Sequence, residues 1–559
     1  MEAQILTVHW HDGEQPVYSA HFQPSASPTT STNMAPSPSP SQRLATGGGD
    51  NNVRIWKLVH PSPGETKVEY LSTLSKHTQA VNAVRFDPTG TMLATAGDDG
   101  CAMIWTKADR IVRDFGVEAD EEAVESWTVK TLCRSSSSEI YGLDWSPDSK
   151  YIITGSTDNK ARVYDVLTGQ EVMQITDHAH YVQGAAWDPR GKFLATQSAD
   201  RSVHIHVFKT IGKDMKVSVL QKSARADLPM RQPGAASGKT SETVASDLPP
   251  LDFNNIRSSM LYQTESLRSF FRRLSFSPDG SLLLAPAGIY KSSAEEKDEP
   301  TNTVYIYTRQ GLNKAPIAQL PGFKKPALAI SFSPIFYELD STSTSNAFQL
   351  PYKMIYAVAT ADTVHIFDTQ STTELGSVSR IHYVTLTDLT WNNDGQSLIV
   401  SSADGFCTRL GFTPETFGAP LKADYKTLLP EEALITGTPK STKRKANGMT
   451  TSQNTSPSTV STTTTNRTIP SSPLAAPEEP KKAVPSPLSK PAPVMNMIDH
   501  LIKKKVKPTP VNKAGATAAK SEKPDVEMKD AEPVVHIPPV KQKKRISPTL
   551  VTDSTPVSQ

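Results

Sequence analysis

The stretch HTQAVNAVRFDPTGTMLATAGDDGCAMIW, His77 to Trp105, reads as three short strands separated by two tight turns. Val81, Ala83 and Val84 to Phe86 supply an apolar strand. Asp87-Pro88-Thr89-Gly90 is a turn in which Pro presets φ and Gly accepts a positive one. Met92 to Ala96 forms a second strand, Gly97-Asp98-Asp99-Gly100 a second turn, and Ala102 to Trp105 a third strand ending on a large aromatic. A sheet of this size cannot bury both faces alone, so it requires copies of itself to pack against.

Six further copies occur. Copy one is split between VYSAHFQP (Val17 to Pro24) and RLATGGGDNNVRIWKL (Arg43 to Leu58). Copy three runs from Ile140 to Val166, copy four from Tyr181 to Phe208, and copy five from Arg272 to Thr308. Copy six starts at Ala327 and resumes at Tyr352, and copy seven runs from Thr385 to Phe412. Repeats of about 40 residues with four short strands, the fourth lying between copies, indicate an all-β fold, a seven-bladed β-propeller. Copy seven lacks a fourth strand. The unpartnered N-terminal run Ile5 to Trp10 is expected to fill that place and so remove the last open sheet edge. The propeller should span residues 1–425, with insertions at about 25–42, 108–127, 212–264, 289–301 and 338–351, and nothing after Phe412 reads as folded. The remaining 426–559 is rich in Pro, Ser, Thr and Lys and is expected to be disordered, because it buries too little apolar surface to offset ordering entropy.

The 559 residues carry a net charge of only +2, but the distribution is uneven. Met1 to Leu429 holds 39 basic and 46 acidic side chains, whereas Pro430 to Gln559 holds 20 and 11. An acidic propeller argues against strong direct DNA binding, which draws its affinity from Lys and Arg displacing counterions, and is compatible with basic partners. Cys101, Cys133 and Cys407 are scattered and form no CxxC pair, so neither a disulfide framework nor a zinc knuckle is encoded. No run reaches the roughly 18 apolar residues of a membrane span, and the N-terminus lacks a signal-peptide pattern, so the chain reads as soluble and not secreted, with no membrane partner.

No GxSxG elbow, GxxxxGK[ST] loop or HExxH helix occurs, so catalytic residues, metal ligands and cofactors are all expected to be absent and the protein not to be an enzyme. His178 and His180 with His204 and His206 form the one candidate metal cluster. The preferred reading is structural, with alternate histidines on an outer strand facing partly solvated space. The acidic run Glu118 to Glu125 reads as a solvated loop, with a docking surface for a basic partner as the alternative. Lys443-Arg444-Lys445 and later basic runs read either as nuclear-import signals or as merely solubilising charge, and a nuclear location is expected. Within the tail, Lys543-Lys544-Arg545-Ile546-Ser547-Pro548-Thr549-Leu550-Val551 sets a basic triplet before apolar anchors. Arg545 suits a carboxylate, and Ile546 and Leu550 suit a groove or sheet edge. A weaker copy lies at Lys503 to Val511, where Pro510 replaces the second anchor.

The repeats resemble WD40 repeats. Copy two carries that family's hydrogen-bond tetrad most fully, in His77, Thr95, Asp99 and Trp105. Elsewhere the turn Asp persists best, as Asp50, Asp158, Asp200 and Asp404. Copy one has Asp50 and Trp56; copy three has Tyr164 in place of Trp and Ser136 in place of His; copy four has His178 but His206 in place of Trp. A closer resemblance is carried by RLATGGGDNNVRIWK from Arg43, VEYLSTLSKHTQAVNAVRFDPTG from Val68, YVQGAAWDPRGKFLAT from Tyr181, SFFRRLSFSPDGSLLLAPAG from Ser269 and RIHYVTLTDLTW from Arg380. These stretches are similar to the WD40 subunit, the middle-sized of three, of chromatin assembly factor 1, a histone chaperone complex. The Arg272-Arg273 doublet is not demanded by the repeat template.

The resemblance implies a non-catalytic scaffold in replication-coupled deposition of histones H3 and H4. Its implied partners are the large subunit and the histone-binding WD40 subunit of the complex. It further implies that Lys543, Lys544, Arg545, Ile546, Pro548 and Leu550 form the motif that binds the anti-silencing function 1 chaperone. The alternatives are a subunit of the replication-independent histone-regulator complex, a generic WD40 adaptor such as a ubiquitin-ligase substrate receptor, and a hydrolase on a propeller scaffold.

Overall fold

In the computed structural model the described residues are 1–25, 42–62, 65–111, 122–211, 214–231, 251–293, 299–341, 343, 345–371 and 373–428. They form seven four-stranded antiparallel sheets and one two-stranded hairpin. Blade one consists of Val17–Phe22, Gln42–Gly48, Val53–Ser62 and Glu65–Leu74, and blade two of Val81–Phe86, Met92–Gly97, Ala102–Lys107 and Trp127–Cys133. Blade three comprises Ile140–Trp145, Tyr151–Ser156, Ala161–Asp165 and Glu171–Ile175; blade four, Val182–Trp187, Phe193–Ser198, Ser202–Ile211 and Asp214–Ser223. Blade five has Ser275–Phe276, Leu282–Tyr290, Thr301–Thr308 and Ala318–Phe323. Blade six has Ala327–Tyr337, Lys353–Thr360, Thr363–Asp368 and Glu374–Ser379.

Blade seven contains Leu386–Trp391, Ser397–Ser402 and Cys407–Gly411, and its fourth strand is the N-terminal Glu2–Leu6, paired antiparallel from Glu2↔Gly411 to Leu6↔Cys407. The closing strand therefore ends four residues earlier than the sequence pattern suggests. Trp10 has left the strand and is fully buried, with its ring 5.0 Å from that of Trp56.

The apolar core is divided into seven clusters, one at each blade–blade interface. Ile55 and Leu74 of blade one meet Val84 and Leu93 of blade two, and Trp10, Leu44 and Trp56 meet Ile399 and Cys407 across the closure. This division explains why the repeat must be multiplied: each sheet buries its apolar faces against its neighbours. Near the axis one inner strand meets the segment before blade five so closely that a side chain is excluded there. A Cβ on Gly184 would lie 1.9 Å from the Arg272 carbonyl oxygen.

Three expectations are corrected. The stretch 212–264 is not merely an insertion: it holds the outer strand of blade four and a hairpin, Arg225–Arg231 with Leu251–Met260, that exposes Phe253 and Ile256. Its short apolar alternation was hidden among polar residues. The chain after Phe412 also stays packed. Phe417 is buried against Phe412 and Trp391, and Tyr425 stacks on Phe336 with ring centroids 4.3 Å apart, so 413–428 folds back over blade six. Finally, Glu125 is no solvated acid. It is buried and receives Arg43 at 2.8 Å, Lys107 at 2.6 Å and the Trp127 indole N–H at 3.0 Å. The expected chaperone-binding motif at 543–551 and the candidate import signals lie outside the described residues.

Candidate functional site at the propeller axis

The turn aspartates organise one face of the ring. In blade two, His77 Nδ1 meets Asp99 Oδ2 at 2.9 Å, His77 Nε2 meets Thr95 Oγ1 at 2.7 Å, and the Trp105 indole donates to the same hydroxyl at 2.9 Å. Asp99 also accepts the backbone N–H groups of Thr78 and Cys101. The residue after the Asp is left-handed, with φ of 72° at Gly100, and Asn51, Asn159, Arg201 and Gly405 take the same conformation in their blades.

Blade one proves as complete as blade two. The fourth member is His11, 2.7 Å from Asp50 and 3.1 Å from Thr46, whose hydroxyl also accepts the Trp56 indole N–H. Burial alone would raise the Asp50 carboxyl, but the bond to His11 and the N–H groups of Asp12 and Asn52 outweigh it and hold it at about 2. Sequence reading missed His11 because the long insertion separates it from Thr46, yet it precedes its strand much as His77 precedes Val81.

The other blades substitute. Asp158 pairs with Arg162 in place of an imidazole, while Ser136 bonds Ser138. Asp404 pairs with His382 at 3.0 Å, and Thr408 on the third strand completes that set. Asp200 meets His178 at 2.8 Å, while His206, in the Trp position, has no hydrogen-bond partner on either nitrogen. His204 and His206 lie on the third strand of blade four and are buried, which corrects the expectation of an outer, partly solvated strand. His178, Asp200 and His204 bring ligand-type atoms within 4.8 Å of one another. However, the rings of His178 and His204 stack at 3.8 Å and 9°, so their in-plane lone pairs run parallel and do not converge on one point. His178 also spends both nitrogens on Asp200 and Thr196.

The second polar system runs along the axis, and its members come from inner strands. Arg85 of blade two reaches Asp388 of blade seven through two bonds, of 2.8 and 3.2 Å. Asp388 also accepts the Ser19 hydroxyl at 2.7 Å. Burial would raise the Asp388 carboxyl, but the charges of Arg273 and Arg85 and the hydrogen bonds from Arg85 and Ser19 keep it at about 2.

Arg273 is the hub. Its guanidinium donates to the carbonyls of Thr387 (3.2 Å), Tyr18 (3.0 Å) and Asn82 (2.9 Å), and its backbone N–H donates to Leu328. One residue at the start of blade five thus fastens blades six, seven, one and two. Arg272 beside it is fully buried, and its guanidinium donates to the carbonyls of Ser198, Gln263 and Thr264. Burial lowers both guanidiniums to about 10, with Asp388 opposing the shift at Arg273.

This doublet ends the segment Ser269-Phe270-Phe271-Arg272-Arg273, which closes the channel on the tetrad face. Phe271 lies 4.2 Å beneath the Arg273 guanidinium and packs against Tyr18, while Phe270 stacks on Tyr141 at 5.6 Å. On the opposite face the channel remains open as a cavity of roughly 290 Å³ lined by His21, Arg85, Asp144, Trp187 and Phe276. Asp144 accepts two backbone N–H groups and is raised to about 6 by burial, against the effects of those bonds and of Arg85. His21 accepts the Phe86 N–H and is lowered to about 3 by burial and by Arg85. The arrangement fixes blades relative to one another. Arg85, Asp388 and Asp144 were not singled out from sequence, although a charge on an inner strand otherwise apolar, as in AVRFD and TDLTW, was the available signal.

Similarity to known proteins agrees with this architecture. Residues 1–417 match the CAF1B/HIR1 beta-propeller domain. The chain is 41% identical over 483 residues to the CAF1B-type subunit of chromatin assembly factor 1 from Schizosaccharomyces pombe, covering 77% of this chain and 91% of that protein. It is 37% identical over 454 residues to the Saccharomyces cerevisiae protein of the same name, covering 76% and 88%. Similarity to Protein HIR1 of Candida albicans is lower, 26% over 415 residues, covering 68% of this chain and 40% of that protein. The chain therefore belongs to the CAF1B family of chromatin assembly factor 1 subunits.

Proposed function

We propose that the protein is the non-catalytic propeller subunit of a nuclear chromatin assembly factor 1 complex, acting in the replication-coupled deposition of histones H3 and H4. The observation that carries this reading is the 41% identity extending over 91% of the fission yeast subunit. The much shorter coverage of HIR1-type proteins weighs against the replication-independent complex. In this reading the propeller joins the large subunit and, through the complex, the histone-binding WD40 subunit. The tail residues Lys543, Lys544, Arg545, Ile546, Pro548 and Leu550 recruit the anti-silencing function 1 chaperone. Tethering that chaperone would raise the local concentration of incoming histones. A ring whose blades are locked through the axis supports a scaffolding role, since it presents its loops in fixed relation to one another.

The test is an affinity pull-down with the full chain. Arg545→Ala with Ile546→Ala is expected to lose the anti-silencing chaperone while keeping the large subunit. Undiminished recovery of the chaperone would remove the motif from the proposal.

A further inference from the structure

The tetrad face has a feature that neither the tetrads nor the axial network uses. Around the sealed channel mouth lie Tyr18, Tyr141 and Phe270, and beside them two carboxylates, Asp98 in the second turn of blade two and Glu139 just before blade three. Phe270 leaves 42% of its surface exposed although its ring is held in place by Tyr141. An aromatic ring kept rigid and half in water is a ready-made platform, because little further side-chain entropy is lost on binding.

The carboxylates belong to the same surface. Glu139 accepts the Tyr141 hydroxyl at 2.5 Å, and Asp98 accepts the Asn82 amide at 2.6 Å. The negative charge of Asp98 reaches both tyrosines, and burial together with Glu139 and Asp99 raises its carboxyl to about 6 despite the Asn82 bond. Both acids are partly exposed, and among the described residues neither has an Arg or Lys within 4.0 Å, whereas Glu125, Asp188 and Asp388 are all paired with cations. Two unneutralised carboxylates beside an open ring form a field that favours a cation. This aromatic group already binds one, since the Arg273 guanidinium lies over Phe271 from the channel side.

We propose that this mouth docks an extended cationic peptide segment, with an Arg or Lys head group laid on Phe270 and Tyr141 and paired with Asp98 and Glu139. The chemistry favours a basic protein segment over a nucleic acid, whose phosphates would face these acids unfavourably. Because Phe271 and Arg273 seal the channel beneath, the segment lies across the mouth and does not thread it. The site is independent of the tail motif at 543–551, and the two tests use different variants.

The experiment is fluorescence anisotropy on the full-length protein. The probes are a labelled twelve-residue peptide alternating Arg with Thr and Gly, and its analogue with citrulline at every Arg. The Arg peptide should bind at least about tenfold more tightly than the citrulline peptide. Asp98→Asn with Glu139→Gln, which keeps shape and hydrogen bonding, should weaken it by about tenfold, and Phe270→Ala by roughly threefold to fivefold. Glu69→Gln, on the outer strand of blade one, should leave affinity unchanged, and all three variants should still show a single cooperative thermal unfolding transition. Equal binding of the two peptides, or wild-type affinity in the double carboxylate variant, would overturn the proposal.

Discussion

Replacing Arg273 with Met keeps the aliphatic stem and removes the charge and all the guanidinium donors. Three buried carbonyls, of Thr387, Tyr18 and Asn82, then lose their partner. At about 1.5 kcal/mol for each bond from a charged donor the loss is roughly 4–5 kcal/mol, and the contact with Phe271 adds about 1 kcal/mol. Water entering from the open cavity can re-solvate some of these carbonyls, and Asp388 keeps Arg85, so the net cost should be about 4 kcal/mol. Arg273→Lys retains the charge but cannot span three carbonyls in different directions, so it should cost about half as much. Urea unfolding followed by tryptophan fluorescence measures both, and the order should be wild type, Lys, then Met. If Arg273→Met falls within about 1 kcal/mol of wild type, blade–blade packing alone fixes the ring and the hub assignment fails.

Removal of Glu2–Leu6 should expose the unpaired edge of Cys407–Gly411 and the pocket filled by Leu6. It should lower stability by about 3 kcal/mol and promote edge-to-edge dimers, visible by light scattering after size exclusion. A monomer with an unchanged urea midpoint would contradict this. His206 should make the fold acid-sensitive: burial lowers its folded pKa from 6.5 to about 4. Its neutral form is therefore native, and stability is full above pH 6.5 and lost as pH falls toward 4. Between pH 7 and pH 5 the loss attributable to His206 is about 2 kcal/mol. Asp98 and Asp144, both raised to about 6, gain stability over the same interval, but they do so equally in a His206→Leu variant. Relative to wild type, the variant should therefore become about 2 kcal/mol more stable on going from pH 7 to pH 5, and parallel curves would refute the assignment.

The repeat, the blade number and the closing strand were legible because turn chemistry and strand alternation are local properties. Asp87-Pro88-Thr89-Gly90 announces its turn wherever the chain goes afterwards. What escaped depends on distant partners. His11 is separated from Thr46 by 35 positions where His77 and Thr95 are 18 apart, so a fixed-spacing template passes over it. Glu125 looks like one more solvated acid until Arg43 and Lys107 are brought over it from other strands. Arg273 stands out as foreign to the repeat, yet its role lies in contacts up to 255 residues away, and no local pattern encodes these. Tyr425 was lost for a similar reason, because its ring finds Phe336 on a surface the sequence does not reveal.

The pairing of Glu2 with Gly411 has a consequence for biosynthesis. Translation delivers the outer strand of blade seven long before the other three, and at roughly 5–20 residues per second that strand waits about 20–80 s for its partner. During that interval the nascent chain carries an unclaimed apolar strand at one end and a growing, unclosed stack of blades at the other. Arg273 emerges well before Thr387, so the hub cannot complete its bonds until the same late moment. Ring closure and the last bond of the axial hub are therefore both late events, and a ribosome halted before Thr387 releases a chain with neither.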